Sequence, residues 1–111
     1  MKDNRLYLIH IKECLDKIYA YLGATDKSGF LSNEMLQDAV IRNLQIMSES
    51  TQRISEELKE KYPNIEWHKI SGFRNIVVHE YLNLDAERVW LVIENDLPPL
   101  RKTIEKMLEE N

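Results

Sequence analysis

The sequence predicts an all-α protein, an up-and-down bundle of four to five antiparallel helices within a single domain spanning 1–111. Two observations carry that expectation. Apolar residues recur at spacings of three and four through almost the whole chain, the signature of helices with one buried stripe. Only 3 Gly and 3 Pro interrupt them, and the connections are short, which favours antiparallel neighbours. Nothing reads as a strand apart from the weak triplet Ile76-Val77-Val78.

The first helix is expected from Asn4 to Leu22, where Leu8, Ile11, Leu15, Ile18 and Leu22 form one stripe. Gly23 and the polar run Thr25–Gly29 end it. The second starts near Ser32, an N-cap residue type, with Glu34 in its first turn. Leu36, Val40, Leu44, Met47, Ile54 and Leu58 keep the period until Tyr62-Pro63, a helix of about eight turns. The third segment, about 64–82, carries Trp67, Ile70, Phe73, Val77 and Tyr81. The fourth starts at Asp85 and runs to Pro98-Pro99, which must break or kink it. A last amphipathic stretch covers Leu100–Leu108.

Composition excludes several function classes. The chain has 111 residues, 15 Lys+Arg against 19 Asp+Glu, and a net charge of −4. That balance argues against a broad electrostatic grip on nucleic acid. One cysteine, Cys14, rules out an internal disulfide and a cysteine-based zinc site, and its place on an apolar face makes it a core residue. No stretch approaches the ~20 apolar residues of a membrane span. Charges recur through the N-terminal residues, unlike a signal peptide, so a cytoplasmic location is expected. Neither a phosphate-cradling glycine loop nor an HExxH-type zinc pattern occurs.

The third segment breaks the pattern. On a helical wheel at 100° per residue, the arc of Trp67, Ile70, Phe73, Val77, Val78 and Tyr81 is centred near Arg74. His68, Ser71, Asn75 and His79 gather on one edge of that arc. A guanidinium in an apolar stripe needs a partner or an opening. The bland outcome is an anchor on a neighbouring helix, with Asp38 or Glu34 as partner, and His79 as a boundary residue. The sharper outcome is a polar site in which Arg74 and His79 converge on one groove, within one chain or across a two-fold axis. Residues 67–79 contain no acid, the longest such run in the chain. His10 reads as a surface or boundary residue.

The block Trp67-His68-Lys69-Ile70-Ser71-Gly72-Phe73-Arg74-Asn75-Ile76-Val77-Val78-His79-Glu80-Tyr81 resembles the signature of the HEPN superfamily. It is most similar to the HepT-like toxins, whose motif is R-x4-H-x-Y, and Asp96-Leu97-Pro98 fits the same pattern. The resemblance implies a homodimeric helical bundle with two motif copies across the interface. It implies a metal-independent endoribonuclease toxin without cofactor, with RNA as substrate, no DNA and no membrane partner. Its implied antitoxin partner is a nucleotidyltransferase that AMPylates the motif tyrosine. Carried over residue by residue, Arg74, Asn75 and His79 are catalytic and Tyr81 is the modified residue. Beside them, His68, Lys69 and Ser71 are candidate RNA contacts. A non-catalytic subunit that binds a nucleotide or a nucleotidyltransferase is the alternative. A purely structural helical dimer is the third reading.

Overall fold

The computed structural model describes residues 3–75 and 86–111, and every element among them is helical. Helix α1 spans Asn4–Leu22, as its apolar stripe predicts, with Asp3 Oδ1 accepting the Leu6 N–H at 3.1 Å. Gly23 ends it at φ +53°, a left-handed conformation that glycine adopts without a Cβ penalty. The polar run after Gly23 is more than a stop. Asp26 Oδ1 accepts the Gly29 N–H at 2.9 Å and starts a short helix, α2 (Lys27–Leu31), whose Phe30 is fully buried.

Helix α3 spans Glu34–Arg53 and is capped by Asn33, whose Oδ1 accepts the Leu36 N–H at 3.0 Å. Ser32, the expected cap, instead closes α2. The expected eight-turn helix is also interrupted. Ile54 is extended, and Ser55 caps a separate helix α4 (Glu56–Glu60). The cause is a competing set of hydrogen bonds. The Ser55 N–H donates to Asn4 Oδ1 at 3.0 Å, Asn4 Nδ2 donates to Ser55 Oγ at 3.1 Å, and Ser55 Oγ accepts the Leu58 N–H. Glu56 and Glu57 in the first turn of α4 complement its dipole.

Helix α5 spans Trp67–Ser71, and residues 73–75 are again helical beyond Gly72. The rest of the expected third segment, with His79 and Tyr81, lies outside the described residues, as does the expected cap Asp85. Helix α6 spans Ala86–Leu91. The Pro98-Pro99 pair does not sever the chain's last helix from α6. A π-helical turn, Val92–Asp96, leads into α7 (Leu97–Glu110), with the Leu97 N–H bonded to Val92 O. Widening that turn relieves the clash each proline ring would make with the carbonyl four residues before it.

Helix α1 packs against both α3 and α7. Both pairs are antiparallel. The start of α1 meets the end of α3 through Asn4 and Ser55, and it meets the end of α7 through Arg5, which donates to Leu108 O at 3.1 Å. At its other end, Tyr19 lies under the Arg101 guanidinium, 4.3 Å from the ring centroid. One contiguous core fills the space between, with Leu8, Ile18, Met47, Leu97, Ile104 and Met107 buried. Cys14 belongs to it, and burial pushes its thiol pKa up, as expected for a core cysteine. His10 is half-buried and edge-on to Tyr7. No described helix is long and apolar enough to cross a membrane.

Candidate active site

Helix α5 is fixed first by Trp67. Its ring is buried, and Nε1–H is shared between Tyr62 O at 3.0 Å and Lys59 O at 3.2 Å. Those are carbonyls at the end of α4, so the indole closes one helix and begins the next. Ile70 and Phe73 complete the buried side. Gly72 then lets the chain tighten. Its N–H is shared between His68 O and Lys69 O, and the Asn75 N–H bonds Gly72 O at 2.9 Å. A Cβ at position 72 would stand 3.2 Å from His68 O.

This turn corrects the expected place of Arg74. The wheel that puts Arg74 in the middle of an apolar arc assumes an unbroken helix over about 64–82. With α5 ending at Gly72, the buried side is Trp67, Ile70 and Phe73, and the Arg74 side chain is 51% exposed. Its Nη1 lies 3.9 Å from Glu49 Oε1 on α3. The acid is neither Asp38 nor Glu34, both exposed elsewhere on that helix. Helix α5 packs on the C-terminal part of α3, where Gln52 Nε2 donates to Ser71 O at 3.4 Å. Glu34 lies 15 residues back, about 22 Å along the axis. Sequence reasoning does not single out Glu49. Its one sequence signal is a place three residues before Gln52 on the exposed side of a long amphipathic helix.

The remaining candidates divide by flank. Asn75 is exposed beside Arg74, His68 is exposed, and Ser71 is half-buried. Lys69 turns the other way. Its Nζ lies 3.0 Å from Asp96 Oδ1 in the π turn, and that carboxylate raises the Lys69 pKa. Lys69 and Asp96 line an open cleft of about 160 Å³ with Asn64, Glu66, Asn95 and Pro99. The structure therefore pairs Arg74 with Glu49 on one surface, leaves Asn75 exposed as the next residue, and commits Lys69 to another surface.

The family described as "Ribonuclease HepT-like" matches residues 11–107, which include α5, Arg74 and the π turn. The chain belongs to the HepT-like ribonuclease family. Its enzyme class is accordingly ribonuclease. Among its relatives is the Methanocaldococcus jannaschii protein "Putative RNase MJ1380", 32% identical over 94% of this chain and 95% of that one. Another is "Probable ribonuclease HepT" of Thermococcus cleftensis, 28% identical over 96% of each. A third, the Methanocaldococcus jannaschii "Gamma-glutamylcyclotransferase and putative RNase MJ0434", is 35% identical over 98% of this chain. The chain spans about half of that relative, 49% of its length. No solved structure gives a significant match.

Proposed function

We propose that this chain is a metal-independent endoribonuclease toxin of a type II toxin–antitoxin module, acting through Arg74, Asn75 and His79 at a site completed by a second copy. The single observation that carries the reading is an exposed Arg74 followed by Asn75, on a surface of a HepT-like chain. The guanidinium is engaged by Glu49 at 3.9 Å, longer than a good hydrogen bond, so a phosphate can take the carboxylate's place.

The chemistry needs no metal. A neutral His79 imidazole takes the proton of a ribose 2′-hydroxyl. The 2′-oxygen attacks the adjacent phosphorus, the bond from phosphorus to the 5′-oxygen breaks, and that oxygen leaves with a proton that the His79 imidazolium returns through solvent. The products are a 2′,3′-cyclic phosphate and a 5′-hydroxyl. Arg74 holds the non-bridging oxygens as negative charge builds on them. Asn75 orients the imidazole or one of those oxygens. A two-fold dimer would set two such motifs across one cleft.

The test is cleavage of RNA by the purified chain in EDTA. The wild type is expected to cut and His79→Ala to lose cleavage while keeping its fold. No cleavage by the wild type, together with tight binding of a nucleotide or a nucleotidyltransferase, would establish the non-catalytic alternative. The same reading makes Tyr81 the site of silencing. AMP added to its hydroxyl places negative charge and bulk beside the motif. Intact mass spectrometry after co-expression with the partner nucleotidyltransferase is expected to show AMP-sized increments mapping to Tyr81. An unmodified mass would refute silencing by AMPylation.

A further inference from the structure

The segment that ends in Arg74 is held from two sides. On one side α3 contributes Gln52, bonded to Ser71 O, and Glu49, paired with Arg74. On the other side the ties come from the chain around the π turn. Asp96 takes Lys69 at 3.0 Å, and Asn64 Nδ2, just ahead of α5, donates to Thr103 Oγ1 on α7 at 3.0 Å. The Asp96 side chain is 18% exposed and that of Lys69 46%, so the pair is shielded from solvent on the carboxylate side alone.

The π turn gives Asp96 its place. Pro98 and Pro99 both lack an N–H, and the chain answers with an i to i−5 bond from Leu97 to Val92. That turn holds one residue more than an α-helical turn. Each residue on one side of it is rotated by about 100° relative to an unbroken helix. Asp96 is the last residue of the turn, and its azimuth is a product of the bulge. Lys69 reaches the π turn through Asp96 and not α3, where Glu49 meets Arg74. It therefore does not share Arg74's flank, and its ammonium already has a carboxylate.

We propose that Asp96 is a positioning residue, which through Lys69 clamps α5 on the flank opposite α3 and thereby fixes the direction of Arg74. The role in cleavage rests on the reading of Arg74 as the phosphate-binding group. The clamp itself does not. Asp96→Asn keeps the size and removes the charge, and Lys69→Gln removes the charge of the other partner with a shorter side chain.

Each variant is expected to lower kcat about tenfold with KM within about twofold, as misdirection of a transition-state contact does. The exchanged pair, Lys69→Glu with Asp96→Lys, is expected to return kcat to within about threefold of wild type. Hydrogen exchange supplies a readout that needs no RNA. The amides of residues 67–75 are expected to exchange faster in Asp96→Asn than in wild type, with α1 and α3 unchanged. Wild-type kcat in both single variants, or no recovery in a folded exchanged pair, would overturn the positioning role. Unchanged exchange over 67–75 would overturn the clamp. If the wild type cuts no RNA, the reading of Arg74 fails, and the exchange measurement still decides the clamp.

Discussion

Alanine in place of Arg74 is expected to lower RNA cleavage by about 10²–10³-fold, the usual cost of removing one preorganised donor from a developing oxyanion. The fold is expected to survive. The side chain is half exposed, and its ion pair with Glu49 spans 3.9 Å between two half-exposed groups. Such a pair is worth about 0–1 kcal/mol, so Tm should move by no more than a few degrees. Activity and thermal unfolding measured on the same preparation separate the two roles of this residue. A large fall in Tm with little loss of cleavage would make Arg74 a structural anchor.

Two companion substitutions sharpen the result. Arg74→Lys keeps the charge but replaces a planar fork by a point charge, so about a tenfold deficit should remain. Glu49→Gln removes the carboxylate that faces the guanidinium in the free protein. KM for RNA is then expected to fall, because phosphate no longer displaces a competing anion. The effect should be largest at low salt, where unscreened charges act furthest.

Arg74 also shows where the sequence is and is not legible. Helix α1 can be read over its whole length, because a regular apolar stripe and a glycine just beyond it are both local signals. The same reasoning makes α3 too long, since the apolar period continues smoothly through Ile54 and Leu58. What interrupts it is a pair of hydrogen bonds between Ser55 and Asn4, 51 residues apart in sequence, and no local window contains both. The Pro pair is a correct alarm about backbone bonding, and of the expected break or kink the chain takes the milder form, a π turn. The block around Arg74 is recognisable as a motif before its geometry is. Its wheel fails at Gly72, where the helix ends, and its acid cannot be chosen among Glu34, Asp38 and Glu49 without the packing of α5 on α3. His79 and Tyr81, the other half of the proposed chemistry, lie outside the described residues, so their roles rest on the motif.

The second large effect is expected at Trp67, which acts on this surface from beneath. Trp67→Ala removes a side chain that is 9% exposed and takes away the donor shared by Lys59 O and Tyr62 O. A buried Trp truncated to Ala costs about 3–5 kcal/mol. That is a large share of the ~5–15 kcal/mol stability of a small domain. Trp67→Phe separates the two contributions, because it keeps most of the apolar bulk and loses only the donor. Two carbonyls at the end of α4 then lose a partner, at a cost of about 1–3 kcal/mol. Chemical denaturation of the two variants is expected to rank them in that order. Cleavage by the phenylalanine variant, measured well below its unfolding midpoint, is expected to fall as well, because α5 begins at this ring and leads to Arg74 seven residues on. Wild-type cleavage in a measurably destabilised Trp67→Phe would mean that Gln52, Glu49 and Asp96 hold α5 without the indole hydrogen bond.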